Sequence, residues 1–354
     1  MRSEPVYKRN LILPILCLFV FMAVPVFAFQ LGEGVALPVP VPGLFNVPKW
    51  APDGSGLAFT GERYTGLYYT DLAGNVSVIS DAKLAGWRYQ WSPDGQSLIY
   101  RIRSEDGMGL ALMQAKRGEA GSKQLTPFLN DLFPPRCGKD GITYRSGDEL
   151  ITIDEEGNVI SVHSLSQGRG VMSRVMSVAA NLMLGRITGA TFTSFACALS
   201  SEAADGKPGS GVYVDSESQI WIVDENGNRR KLIDVEGEPG YCPPTESPQG
   251  DKYCVEGYSG NLYVVDPRGG TPVNLGEGHN PSWSPDGRYV IFEVTTDDGH
   301  IITSSDLWIA SIDGSQRFQL TSTPGIEADP SWSPDGKYIA YILDGKIYIA
   351  PIEP

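Results

Sequence analysis

Hydrophobic positions along this chain come in short bursts separated by polar turn residues. The segments 56–59, 97–100, 220–223, 253–255, 262–265, 289–292, 307–312 and 338–341 are apolar and rich in β-branched and aromatic side chains, the composition of strands. No stretch carries the 3.6-residue period of a long amphipathic helix. With 41 glycines and 26 prolines in 354 residues, the chain turns often. The pattern predicts an all-β fold built from hairpins.

One turn recurs. Trp50-Ala51-Pro52-Asp53-Gly54 returns as Trp91-Ser92-Pro93-Asp94-Gly95, as Trp283-Ser284-Pro285-Asp286-Gly287 and as Trp332-Ser333-Pro334-Asp335-Gly336, each time followed by an apolar strand. Proline presets φ for the first corner of such a turn, aspartate caps it and glycine takes the left-handed position. The tryptophan before it can cover the turn and pack between neighbouring sheets. A second hairpin follows in each unit: 220–223 with the turn 224–228 and 230–233, 262–265 with its turn 266–270, and 307–312 with Asp313-Gly314. Two hairpins make the four strands of a propeller blade. The W-S-P-D-G turn, its apolar strand, the D-G hairpin and a closing Leu-Thr, as at Leu320-Thr321, resemble the TolB-type propeller repeat, a relative of the tryptophan–aspartate repeat. That resemblance implies a β-propeller. It implies no activity, because such repeats serve unrelated functions.

Three degenerate copies fit between Trp91 and Trp283: Lys139-Asp140-Gly141 before 142–144, with 150–153 and 159–162; 178–181 before 182–187; and Ser247-Pro248-Gln249-Gly250 before 253–255. Trp50 to Trp332 then spans six intervals averaging 47 residues, within the roughly 40–50 expected per blade. Seven blades are expected. Dropping the copy at 178–181 leaves six as the alternative. The last unit lacks a fourth strand, and the apolar segment 35–41 is expected to supply it and close the ring. Prolines are tolerated at such an outermost edge. A Pro-rich linker is the other reading of that segment. The unit between 188 and 218 departs furthest from the repeat and reads as an insertion.

Residues 1–28 carry a basic start (Arg2, Lys8, Arg9), an uncharged apolar run from 11 to 28, and Val26-Phe27-Ala28 as a cleavage signal. They read as a signal peptide, with an uncleaved anchor as the alternative. A periplasmic or secreted propeller domain over 29–354 is expected, with no stable membrane insertion after cleavage. Three of the 28 basic and one of the 42 acidic residues lie in 1–28, which leaves 25 against 41 and a net charge of −16. A surface so acidic repels phosphate backbones, so nucleic acid is excluded as a partner. Cys137, Cys197, Cys242 and Cys254 show no C-x-x-C spacing, which disfavours zinc. Cys197 and Cys242, placed on one face of adjacent units, are the expected disulfide; Cys137 and Cys254 are expected free.

Catalytic signatures are absent: no G-x-S-x-G elbow, no H-E-x-x-H and no phosphate loop. The turns 154–158 and 224–228 contain acidic residues but lack the full calcium-loop order. No cofactor is implied. Some propellers of this repeat class resemble oligogalacturonate lyases, which gather histidines around a metal. Only His163, His279 and His300 are available here, and His163 falls on an outer strand. A metal-dependent carbohydrate enzyme is therefore the alternative to a non-catalytic, monomeric scaffold that binds a protein or glycan of the cell envelope.

Propeller loops divide between two faces. The W-S-P-D-G and D-G turns share one face and are short and uniform. The connections between blades and between second and third strands share the other, and they vary in length, which suits binding. That face is expected to carry Arg63, Tyr64, Trp87, Arg88, Tyr89, Arg101, Arg103, Tyr241, His279, Asn280 and His300, with Glu105, Asp106, Asn130, Asp131, Arg169, Asp297, Glu327 and Asp329 around them. Trp87-Arg88-Tyr89 draws most attention, since aromatic residues and arginine dominate binding hot spots. The competing reading is that Trp87 and Tyr89 pack under the following strand.

Overall fold

The computed structural model of the protein describes residues 29–165, 211–224 and 228–353. Among them, seven antiparallel sheets follow one another along the chain. Blade one is Phe45–Trp50, Gly56–Gly61, Leu67–Asp71 and Val76–Ser80, from the innermost strand outward. Blades two, three, five and six repeat that four-stranded order. Blade four is described by three strands, Gly211–Val214, Ile220–Val223 and Arg229–Lys231. Blade seven comprises Glu327–Trp332, Tyr338–Leu343 and Lys346–Glu353. The seven-bladed propeller expected from the repeat spacing is thus the observed fold.

The core is distributed between sheets, with one apolar cluster in each of the seven gaps between neighbouring blades. Between blades five and six, for example, Leu262, Val264, Val290 and Phe292 interdigitate. Each such side chain contributes roughly 1.5–3 kcal/mol by leaving water.

The repeated turn is a hydrogen-bond cassette. In blade two the Ser92 hydroxyl donates to Asp94 (2.5 Å), and Asp94 accepts the Gln96 N–H (2.9 Å). Ser92 Oγ also accepts the Ser97 N–H at 2.8 Å, and Gly95 sits at φ 70°, where a side chain would be strained. The same bonds recur at Ser284–Asp286–Arg288 and Ser333–Asp335–Lys337. In blade five Ser247 bonds to Asp251 instead, with the acid after the glycine. The preceding tryptophans stitch blades together. The indole N–H of Trp50 donates to Ser331 O of blade seven, that of Trp91 to Lys49 O of blade one, and that of Trp283 to Thr245 O of blade five. Trp332 differs: its indole turns to Gly336 O in its own hairpin, and Phe29 packs edge-on against it, ring centroids 6.1 Å apart.

The N-terminal segment closes the ring as expected, but the pairing starts earlier and stops short of residue 41. Gln30 and Leu31 pair with Glu353 and Ile352, and Val35 and Ala36 pair with Ile349 and Tyr348. The ladder ends where the Leu37 N–H meets Ile347 O at 2.8 Å, because Pro38 and Pro40 have no N–H to give. Residues 38–41 therefore do not form the expected strand; Val39 and Val41 pack against the cluster between blades seven and one. The expected insertion also ends earlier than 218, since Gly211–Val214 is a paired strand. The 1–28 segment, the copy at 178–181, most of the insertion, Arg169 and Cys197 lie outside the described residues. No helix among those described is long and apolar enough to cross a membrane.

Candidate functional site

The innermost strands bend at one repeated position. Three residues before each motif tryptophan stand Val47, Arg88, Asn280 and Asp329, all at positive φ between 50° and 54°. In blades one, six and seven the ladder register shifts there, between Asn46 and Lys49, His279 and Ser282, and Ala328 and Ser331. These are β-bulges, which re-aim side chains and backbone. They lie toward the strand starts, on the face of the variable connections. Left-handed backbone is costly for a non-glycine residue, most of all for β-branched Val47.

Carboxylates of the preceding blade hold the bulges in place. Glu256 accepts the Asn280 N–H at 3.2 Å, Glu293 accepts the Asp329 N–H at 2.6 Å, and Asp329 accepts the Val47 N–H at 2.9 Å. The relay thus runs from blade five through six and seven to blade one. Glu293 also takes a bond from the Asn280 amide at 3.0 Å. Burial, reinforced by the Asp329 charge, pushes the Glu293 carboxyl up to about 7. Burial raises Asp329 as well, against the opposing pull of the Val47 N–H and Lys49. His279 meets Glu256 at 3.0 Å, and that hydrogen bond raises its pKa above the usual imidazole value.

The opposite polarity gathers on blades one and two. Lys49 donates to Tyr89 O at 2.9 Å; burial and then the Arg88 charge bring its ammonium down to about 8. Arg101 is only 2% exposed. Its guanidinium lies over the Trp87 ring, 4.5 Å from the centroid, and its Nη1 donates to Leu132 O at 2.7 Å. Burial and the nearby Arg88 charge lower it to about 10. Among the described residues neither Lys49, Arg88 nor Arg101 takes part in an ion pair. The mouth is therefore polarised, with carboxylates toward blades five to seven and cations toward blades one and two.

Several of the expected surface residues are in the interior. Tyr89 is fully buried, sharing its hydroxyl between Val47 O (2.6 Å) and Ala58 O (2.8 Å), so it supports the bulge of blade one and cannot meet a partner. Tyr241 is likewise buried, its hydroxyl accepting the Val235 N–H. Arg101 lies on the strand Ser97–Arg103, not on an exposed loop. Trp87 and Arg88 are half-buried, Arg63 and Tyr64 are in the exposed turn Glu62–Tyr64, and Arg103 is exposed with its guanidinium on Gly107 O. His300 is exposed at a loop tip where Asp298 accepts its backbone N–H. Cys242 is a free, half-buried thiol, and Cys137 and Cys254 are also free.

Lys49, Glu256 and Glu293 were not among the expected site residues, yet for Glu293 a signal existed. Ten residues after each motif tryptophan stand Thr60, Arg101, Glu293 and Ile342. A charge in the middle of an apolar strand, at a slot that elsewhere takes threonine or isoleucine, marks a position the fold does not dictate.

Among the described residues no cluster of three or more His, Cys, Asp or Glu side chains could hold a metal ion. No family model matches the chain. An uncharacterized protein of Agrobacterium fabrum is 25% identical over 272 residues, covering 70% of this chain and 83% of its own. TolB from Acinetobacter baumannii is 20% identical, with a TM-score of 0.47, and the match covers 82% of this chain but 57% of that one. A chain of the mitotic checkpoint complex is 13% identical over 98% of both chains, with a TM-score of 0.58. At such identities the likeness is one of fold alone: the chain is a seven-bladed β-propeller.

Proposed function

We propose that this chain is an exported, non-catalytic propeller scaffold that binds a protein partner through the variable face, around the channel mouth. The observation that carries this reading is the contrast between the faces. On the turn face, the serine and aspartate side chains of the repeat are consumed in closing their own hairpins. On the variable face, Arg88 and Arg101 take part in no ion pair among the described residues, and apolar side chains such as Met108 and Phe128 are exposed. Aromatic, apolar and arginine groups together are the usual substance of a protein-binding surface. Export rests on the basic start and apolar run of residues 1–28.

Replacing Trp87 and Arg88 together by alanine should weaken capture of the partner, isolated by pull-down from the envelope, by about 2 kcal/mol or more. Gln96→Ala or Arg288→Ala on the turn face should change it by less than about 0.5 kcal/mol. Circular dichroism on each variant separates lost affinity from lost fold. A folded double variant with full affinity, beside a turn variant that no longer binds, would move the site to the other face. Stoichiometric bound metal that is lost on His279→Ala or His300→Ala would replace this reading with the enzymatic one.

A further inference from the structure

We propose that the blade-one and blade-two side of the channel mouth is a carboxylate site, in which the Arg101 guanidinium, with Lys49 and Arg88, takes an acidic side chain from a peptide segment of the partner. This rests on the reading of the variable face as a protein-binding surface and adds the chemistry it recognises.

Arg101 carries the inference. Its Nη1 is committed to Leu132 O, while Nε and Nη2 are buried and have no partner among the described residues. Those two donors form one edge of the guanidinium, the fork that grips both oxygens of a carboxylate. Leaving such donors buried and unbonded is costly, and the blade does not require it. The equivalent slot is threonine in blade one and isoleucine in blade seven. In blade six it holds Glu293, whose oxygens are both bonded. Blade two thus keeps a charged group where the fold would accept an apolar one, and keeps it with its best-suited edge unused. Binding sites commonly hold such locally unfavourable arrangements.

Two further cations reinforce the polarity. Arg88, on the left-handed bend, is close enough that its charge lowers the pKa of both Lys49 and Arg101. Repulsion of that kind is relieved when an anion enters. The half-buried Trp87 ring lies over the Arg101 guanidinium and bounds the site beside the fork. The 81–89 connection holds two left-handed residues, Leu84 and Arg88.

The partner is a peptide with isolated acids, not a polyanion. The chain carries a net charge of −14, so a string of phosphates or uronates is repelled at long range, while one carboxylate is held locally. Apolar side chains suited to a peptide lie on the same face: Met108 is 74% exposed, Phe128 44% and Tyr64 38%.

A phage-displayed dodecapeptide library selected on the whole protein, and counter-selected on the Lys49→Ala/Arg88→Ala variant, tests this. The expected clones share one Asp or Glu beside apolar residues. A synthetic clone peptide should bind at least 30-fold more weakly to that variant, to Arg101→Met, or when its acid is changed to the amide. Arg101→Met should melt no lower than the parent, since it removes an uncompensated buried charge; a clear drop in melting temperature would mark Arg101 as structural and overturn the site. Clones that depend on Met108 and Phe128 but not on the cations would overturn the carboxylate site and leave the protein-binding face standing. Inorganic phosphate or trigalacturonate binding with the same cation dependence, where peptides fail, would overturn the peptide assignment. Failure of all three probes would overturn the site itself.

Discussion

Glu293 is the side chain where the architecture and the charge of the mouth meet. Its carboxyl is pushed up to about 7 against an ordinary value of 4.5, so the folded protein holds that proton more tightly than the unfolded chain. The stabilisation is complete below about pH 4.5 and is lost as pH rises through about 7. Asp329 and His279, both raised, act with the same sign. The lowered turn carboxylates Asp94 and Asp286 titrate below this window, while His163 and Lys49, both lowered by burial, act with the opposite sign and offset part of the trend. Urea unfolding should show the protein less stable at pH 8 than at pH 5 by about 2 kcal/mol, and Glu293→Gln should remove most of that difference. An unchanged slope in the variant would place the titration elsewhere. In the turns, Asp286→Ala should cost about 1 kcal/mol, because Ser284 and the Arg288 N–H lose their acceptor. The turn chemistry was legible residue by residue, since proline, aspartate and glycine act locally. The burial of Tyr89 was the competing reading of its loop and holds; that of Tyr241 was not legible, because a tyrosine in a loop looks the same whether its hydroxyl meets water or the backbone.

Strands were legible wherever a strong motif set their register, and unclear where pairing depended on a distant partner. The alternation of Val35, Leu37, Val39 and Val41 suggests a single edge strand, yet hydrogen bonding stops at Leu37 because two prolines follow. Gln30 and Leu31 gave no pattern of their own; their pairing is imposed by Lys346–Glu353. The unit at 211–214 was hidden for a related reason, since Gly-Val-Tyr-Val directly follows a run rich in Ser, Ala and Gly. Removing residues 29–37 should therefore be far more damaging than removing 38–42. The first deletion strips blade seven of its outer strand and of Phe29 against Trp332 and Tyr289, and exposes a long unpaired edge. A melting temperature lowered by less than a degree or two in the first deletion would show that the closing strand contributes little.

At the scale of the whole molecule, an acidic body carries a small cationic site. Long-range repulsion and short-range attraction then oppose each other for an acidic peptide. Raising salt from 0.02 to 0.15 M, which shortens the screening length to about 8 Å, should speed association by relieving the repulsion and also speed dissociation by weakening the contact. Stopped-flow traces check both; an association rate that falls with salt would mean that the peptide meets a basic surface. The repeat count and the ring were readable at this scale because blade spacing accumulates over the chain, whereas the polarised mouth depends on which blades face each other. The seam has a further consequence for how the molecule forms. Gln30 and Glu353 are neighbours in space and lie nearly a whole chain apart in sequence, so the last blade is assembled from segments that meet only after the intervening blades have formed. Until then, three strands of the last blade wait with an open edge and their complement hangs from another part of the same chain. At high concentration during refolding, that complement can dock onto the incomplete blade of a second copy, and a fraction of the protein should emerge as a strand-exchanged dimer that reverts to monomer only by unfolding.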